Sequence, residues 1–373
     1  MEKLGFGLMR LPLNTPGNTA DIDLAAMQAM MDRFIGAGFT YFDTSYVYHG
    51  GASETAFRET VVKRYPRAAF TITDKMPMFQ IGQEDELEPI FSETLQRLGV
   101  GYIDYYLLHS LDKRTYALSQ KLHAFEFVQK KLAGGTVRHI GFSFHDTADV
   151  LEEILKAHPE MEYVQLQLNY LDWEDGAVQA RQCYAVCEKY GRKVIVMEPL
   201  RGGALACPPE QARRLLHGAA PQMSMPEWAL RFAASHKNVV MVLSGMSTLQ
   251  QVEENIGTMR PFQPLTQLQM ARALEAGRLI RTSTAVPCTA CRYCDGCPED
   301  IAIPEYFSLY NQLSRLEKSR EETVREYAGL AQGRGTASAC IGCGRCERHC
   351  PQHIGIIRPL QQAAQALENV SPP

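Results

Sequence analysis

Short apolar runs alternate with longer amphipathic stretches up to about residue 260 of the chain, and the alternation repeats eight times. The β-rich runs predict strands at Gly5 to Leu11, Thr40 to Asp43, Phe70 to Lys75, Ile103 to His109, His139 to Ser143, Tyr163 to Leu168, Lys193 to Glu198 and Val239 to Leu243. Helical periods fill the gaps. Asp23 is placed to cap the first of these helices, which sets Leu24, Met27, Met31, Phe34 and Ile35 along one stripe before Gly36 and Gly38 stop it. Strict alternation of strand and helix implies parallel pairing, and eight units in roughly 250 residues favour a closed (β/α)8 barrel over an open sheet. An open doubly wound sheet would want a G-x-G-x-x-G turn after the first strand, and that turn is absent.

Beyond the barrel, Pro264 to Ile280 predicts a helix. A charged helical insert runs from Pro304 to about Leu330 and holds Leu309, Leu313, Leu316 and Val324. A short helix is expected after Pro359, with Ser371 to Pro373 fraying. The expected division is therefore a barrel over 1–262 and a smaller, mainly helical domain over 263–373.

Composition narrows the function class. A net charge of −4, without a long Lys/Arg run, argues against nucleic acid or an anionic membrane as partner. No segment has the apolar length needed to span a bilayer, and the opening MEKLGFGLMRLPL lacks a secretory h-region. A reducing cytoplasm is the expected compartment.

The cysteines carry the sharpest chemistry. Of eleven, eight form two groups: Cys288, Cys291, Cys294 and Cys297, then Cys340, Cys343, Cys346 and Cys350, each ending in Cys-Pro. Three cysteines at two-residue intervals let a short loop wrap three irons of a cubane while a distant cysteine closes the fourth. The second group is the full C-x-x-C-x-x-C-x-x-x-C-P run; the first has only Asp295 and Gly296 before its last cysteine. Crossed ligation follows, with Cys288, Cys291, Cys294 and Cys350 on one [4Fe–4S] cluster and Cys340, Cys343, Cys346 and Cys297 on the other. Zinc ribbons use paired knuckles instead, and half-cystines this crowded could not all meet bridge geometry. Cys183, Cys187 and Cys207 show no ligand pattern; Cys183 and Cys187 read as small buried residues four apart on a helix.

In a (β/α)8 barrel the reactive groups sit where strands end. Asp43 ends the second predicted strand, Tyr48 follows in its loop, Lys75 ends the third and His109 the fourth. Singly, each has a structural explanation as a loop cap, a surface charge or a hydrogen-bonded core residue. Together they form a set.

The motifs FDTSYVY with GGASE, TITDK, YIDYYLLH and IGFS resemble the aldo-keto reductase family over residues 1 to about 260. By that resemblance Tyr48 is the proton donor to a substrate carbonyl, Lys75 and Asp43 are its paired neighbours, and His109 orients the carbonyl oxygen. An ammonium beside a phenol, whose usual pKa is roughly 10, favours the phenolate. Ser143 and Gln165 match the positions that hold nicotinamide, with Asn169 nearby as a further contact. The loop SGMSTLQQVEEN, which includes Ser244 and Met246, matches the cofactor-phosphate loop, and Glu254 and Asn255 match the adenine contacts. Ser247 and Gln250 fit a capping box at a helix start. Gly245, Met246 and Gln251 stand where NADPH-preferring relatives carry Lys, Ser and Arg, and Met197 stands where many carry a stacking aromatic residue, so the choice between NADH and NADPH stays open.

The cysteine-bearing tail resembles the ferredoxin-like extension of a bacterial branch of the same family. The combined expectation is a cytoplasmic oxidoreductase that reduces an aldehyde or ketone with NAD(P)H, with two clusters that are structural or draw on a redox partner protein. One alternative is an electron-transfer protein in which the barrel is a docking scaffold; another replaces nicotinamide with a flavin. A nicotinamide gives up two electrons as hydride and each cluster passes one at a time, which is the difficulty a flavin resolves. Substrate choice is expected in the loops Met76 to Glu88 and Ser110 to Gln120, where Met76, Met78 and Phe79 either line an apolar pocket or pack.

Overall fold

The computed structural model describes residues 2–15 and 17–368. Eight parallel strands close into a barrel in sequence order. They are β1 (Leu4–Gly7), β2 (Tyr41–Asp43), β3 (Thr71–Met76), β4 (Ile103–Leu111), β5 (Val137–Phe144), β6 (Tyr163–Gln167), β7 (Lys193–Met197) and β8 (Val239–Gly245). β1 pairs with both β2 and β8, Gly7 lying opposite Asp43 on one side and Gly245 on the other. All eight predicted strands form. The first is shorter than expected, because Leu8–Arg10 winds into a 3-10 turn after Gly7.

Inside the barrel Tyr41, Tyr105, Ile195, Met241 and Leu243 pack as one cluster. Two glycines are spatial necessities there. A Cβ at Gly5 would lie 2.7 Å from the Leu243 side chain, and one at Gly141 would lie 2.2 Å from the backbone oxygen of Tyr163.

Asp23 caps α1 (Leu24–Gly36), its side chain accepting from the Ala26 amide. The buried stripe is Met27, Met30, Met31 and Phe34. Leu24 is 43% exposed and Ile35 only partly buried, so the apolar face is turned one position from the expected one. Helix α2 (Ala52–Phe57) comes between β2 and β3, and α3 (Leu87–Leu98) between β3 and β4.

Contacts divide the chain into two compact units. One runs as far as Pro199 and resumes over Pro226–Met270; the other comprises Leu200–Met225 and the chain from Ala271 onward. Compactness thus sets the boundary at Met270 and Ala271, where the sequence pattern alone places it between 262 and 263. In the second unit, helices Ile303–Ser314, Arg320–Leu330 and Ile357–Leu367 surround a core of Ile303, Tyr306, Phe307, Leu360 and Ala363, against which six of the clustered cysteines pack. The predicted insert helix is two helices. Leu316 takes φ 57 and is 88% exposed, and Ser319 with Glu322 forms the capping box that starts the next. The fraying expected for Ser371 to Pro373 lies outside the described residues.

Candidate functional site

β2, β3 and β4 are neighbours, so their C-terminal ends bring Asp43, Lys75 and His109 side by side. In β3 the pleat alternates sides, which directs Lys75 opposite to Asp74. Lys75 is fully buried and its Nζ donates three ways: to Asp43 Oδ1 at 2.7 Å, to the Thr44 carbonyl at 2.7 Å and to the Tyr48 hydroxyl at 3.4 Å. Tyr48 opens a 3-10 turn in which His49, Gly50 and Gly51 all take positive φ, a path that two glycines make accessible. The turn returns the phenol over β3, with Lys75 Nζ 4.8 Å from its ring centre.

Burial pushes the Asp43 carboxyl upward from its ordinary range, while Lys75 and Gln165 pull it back. Gln165 Nε2 donates to Asp43 Oδ2 at 2.9 Å, so both carboxylate oxygens have partners.

His109 is buried and sits where the β4–β5 register shifts, between Leu108 and Leu111. Such bulges re-aim side chains near reactive sites. Its ring centre lies 6.0 Å from that of Tyr48 and 5.4 Å from that of Phe79, edge-on to both. Burial first, then the Lys75 and His145 charges, hold its pKa well below the ordinary histidine range, so the imidazole is neutral near pH 7. Ser45 Oγ lies 3.0 Å from Nδ1 and also accepts from the Val47 amide at 3.5 Å. The hydroxyl has one proton to give and two lone pairs to accept with, so it serves Nδ1 in either tautomer; when it donates there, the ring proton lies on Nε2. Ser45 was missed by sequence reasoning, because nothing in the spacing of FDTSYVY shows that its hydroxyl meets a histidine on β4. Met76 and Met78 are packed core residues; of the three apolar loop positions Phe79 is the one partly exposed and turned to His109.

The other candidates scatter more. Ser143 Oγ accepts from the Ser110 amide at 2.7 Å and keeps its own proton to donate. Gln165, with its amide nitrogen on Asp43, keeps its oxygen as an acceptor. Those two groups complement the N–H and C=O of a carboxamide. Asn169 cannot serve in that way: Nδ2 donates to Asp172 Oδ2 and the Glu198 carbonyl, while Oδ1 accepts from the amides of Leu171 and Asp172. It is a buried bracket.

After β8, Asn255 Nδ2 donates to Ser244 Oγ at 3.0 Å, tying helix Leu249–Met259 to the strand end. Met246 is buried, so only its backbone could meet a ligand. Glu254 is exposed and accepts from Gln250. The cap of that helix is Thr248, which accepts from the Gln251 amide, and Ser247 N donates to Gln251 Oε1. The expected Ser247 and Gln250 box does not form: the helix starts one residue later, Ser247 Oγ donates to the Arg10 carbonyl and the Gln250 side-chain amide donates to Glu254.

In the second unit the clustered cysteines ring two cavities. One is lined by Cys297, Cys340, Cys343, Cys346 and also Cys294. The other is lined by Cys288, Cys291, Cys294 and Cys350. Positive φ at Ala290, Arg292, Gly296, Gly342 and Gly344 turns the backbone tightly between successive cysteines. Among the described residues no three His, Cys, Asp or Glu converge on a single metal ion. Thiols set around a cavity rather than a point suit a multi-atom cluster. Burial pushes the Cys346 thiol up to about 11 and raises Cys288 and Cys350, so binding iron must displace protons. Cys183 and Cys187 are buried, as expected, and Cys207 is exposed.

Residues 3–277 match the model of the aldo/keto reductase family, almost three quarters of the chain. The chain belongs to the aldo/keto reductase family. Residues 287–354 of this aldo/keto reductase match a 4Fe-4S dicluster domain, so it is an oxidoreductase that carries an iron–sulfur dicluster module. An L-galactose dehydrogenase of Arabidopsis thaliana is 25% identical over 287 residues, covering 71% of this chain and 86% of the plant protein. An aldo-keto reductase structure from Bacillus halodurans superposes with a TM-score of 0.60 at 23% identity, covering 74% of this chain and 91% of that one. One from Klebsiella pneumoniae, in complex with NADP and acetate, gives 0.56 at 19% identity, covering 74% and 91%. At those identities the structures establish the fold. No helix among the described residues of this aldo/keto reductase is long and apolar enough to cross a membrane.

Proposed function

We propose that the barrel reduces an aldehyde or ketone with a nicotinamide dinucleotide, Tyr48 giving the proton. The observation that carries this reading is Lys75 Nζ, shared between the Asp43 carboxylate at 2.7 Å and the Tyr48 hydroxyl at 3.4 Å. Ser143 and Gln165 would hold the carboxamide of the nicotinamide, which when bound supplies the hydride. Everything else belongs to side chains. A carbonyl oxygen seated between the Tyr48 hydroxyl and His109 Nε2 would gain negative charge as its carbon is reduced. Tyr48 then passes it a proton, and the Lys75 ammonium stabilises the phenolate left behind. Neutral His109 orients the oxygen without competing as the acid. Asp43 keeps the ammonium charged and in place.

The test is Tyr48→Phe, assayed for NADPH- and NADH-dependent reduction of a panel of aromatic aldehydes. Loss of a general acid is expected to lower kcat by about 10²- to 10⁴-fold. Undiminished turnover would remove Tyr48 from the mechanism.

For the module, Cys288, Cys291, Cys294 and Cys350 would hold one [4Fe–4S] cluster and Cys297, Cys340, Cys343 and Cys346 the other. The sorting of the thiols between the two cavities supports this crossed assignment. A hydride transfer moves two electrons and a cluster one, so the clusters serve either the fold or exchange with a redox partner protein, in a compartment reducing enough to keep the thiols available. Klebsiella's relative holds NADP. Here Gly245, Met246 and Gln251 supply no cation for a 2′-phosphate, and the dinucleotide is assigned as NAD(P) without preference.

A further inference from the structure

We propose that His49 is a positioning residue for the reaction: its imidazole ties the Tyr48 turn to the hairpin that follows β1 and so fixes where the phenol stands. That role deepens the reading of Tyr48 as proton donor and rests on it.

The turn Tyr48–Gly51 takes three successive residues through the left-handed region, and Gly50 and Gly51 do so without strain. Position 49 is a histidine at φ 55 and ψ 37, where a β-carbon is disfavoured. It is only 9% exposed, and both ring nitrogens are used. Nδ1 lies 2.6 Å from the Thr19 carbonyl, and Nε2 is 3.3 Å from the Leu11 amide. A carbonyl only accepts and an amide N–H only donates, so the proton is on Nδ1 and Nε2 is the acceptor. One tautomer of the neutral ring satisfies both bonds. Burial holds the imidazole below its ordinary pKa, against the pull of the Thr19, Met9 and Leu8 carbonyls.

Both partners belong to one hairpin. Leu11 lies ahead of the antiparallel bridge between Leu13 and Ile22, and Thr19 lies within the loop that the bridge closes. Asn14 N donates to the Asp21 carbonyl at 2.9 Å, and the Asp21 carboxylate accepts from Asn14 Nδ2 and Thr15 Oγ1, each at 2.8 Å. A loop knit this way is a firm anchor. At the far end of the turn Ser53 Oγ, in α2, reaches the Leu8 carbonyl at 3.3 Å and Thr44 Oγ1 at 2.8 Å. His49 adds a tie one residue from the phenol, where slack matters most. Lys75 Nζ meets the Tyr48 hydroxyl at 3.4 Å, already at the long end of hydrogen bonding, so a further drift of a few tenths of an ångström would break the contact. A chain that needed only the bend would do better with a third glycine. The strain at position 49 is kept because the imidazole is needed there.

The experiment compares His49→Gly and His49→Asn with the parent, as full-length protein purified anaerobically. Glycine keeps the bend and loses both bonds; asparagine tolerates the left-handed region, and its Nδ2 can stand in for Nδ1 at the Thr19 carbonyl. With an aromatic aldehyde, His49→Gly is expected to lower kcat about 10- to 100-fold, the effect of misplacing a reacting group by about 1 Å, while affinity for NADPH and NADH stays within about twofold of the parent. His49→Asn is expected to recover most of that loss. Parent kcat in His49→Gly, or dinucleotide affinity falling in step with kcat, overturns the proposal. Amide hydrogen exchange reads the tie without turnover: the Leu11 amide should lose protection in His49→Gly, and protection at the parent level overturns it as well. If Tyr48→Phe keeps full turnover while Leu11 loses protection in His49→Gly, the tie stands and the reading of Tyr48 as acid fails; full turnover in His49→Gly beside an inactive Tyr48→Phe does the reverse.

Discussion

Replacing Lys75 by Met should destabilise the barrel far more than removal of a surface lysine, and the structure sets the scale. The Lys75 side chain is 0% and the Asp43 side chain 4% exposed, and their atoms meet at 2.7 Å. Removing the ammonium strands a buried carboxylate oxygen and also leaves the Thr44 carbonyl without its donor. Breaking a buried ion pair from one side costs about 3–5 kcal/mol, and an unsatisfied buried carbonyl adds about 1–3 kcal/mol. Asp43→Asn should cost about 3–5 kcal/mol for the converse reason. In the double variant no unpaired charge remains, and its loss should fall well short of the sum, with a coupling of about 2–3 kcal/mol or more. The assay is urea unfolding of the full-length protein, followed by near-UV circular dichroism at matched m-values. Coupling below about 0.5 kcal/mol would refute the reasoning, since it would mean the pair is solvated in the folded state. All three variants should remain inactive, which separates the pair's part in stability from its part in proton transfer.

Ser45→Ala removes the hydroxyl that meets His109 Nδ1 at 3.0 Å; kcat/KM for aldehyde reduction should fall about 3- to 10-fold, Ser45→Thr should restore it, and an unchanged rate would dismiss the hydroxyl. Under crossed ligation, Cys297→Ala should erase the electron paramagnetic resonance signal of the cluster held by the Cys340 group, and Cys350→Ala that of the other; each loss falling on the cysteine's own sequence group would reject the crossing. Glu54 is buried and its pKa is raised from 4.5 to about 7, burial outweighing Arg97. Its folded value exceeds its unfolded one, so stability should decline as pH rises from about 4.5 to 7 and level off above. Urea midpoints at about pH 5 and about pH 8 should differ less in Glu54→Gln; an identical difference would exclude Glu54 as the source.

Much of this was legible in the linear chain. The alternation that ends in Asp43, Lys75 and His109 identifies the strands and the candidate positions at their ends, because a parallel barrel repeats one local unit and places each strand's end at a common mouth. The cysteine runs were legible too, since three of a cubane's four ligands come from one short loop. Periodicity did not show the break at Leu316, which depends on a left-handed residue and the Ser319 cap, nor the grouping of Leu200–Met225 with the C-terminal unit.

By itself, then, the order of residues determined the barrel, the placing of Asp43, Tyr48, Lys75 and His109 as candidates at or after strand ends, and the presence of two thiol sets, all encoded in local period and spacing. Tertiary structure alone decided which groups meet across strands: Ser45 with His109, Gln165 with Asp43, Arg10 with Glu198, and Asn169 with Asp172 rather than with a ligand. Except for the Asn169 bracket, these pairs join residues far apart in the chain, and even that bracket is closed by the carbonyl of Glu198 from the next strand. Hydrogen-bond partners are chosen by distance and desolvation after the barrel closes, so no spacing rule along the chain can announce them.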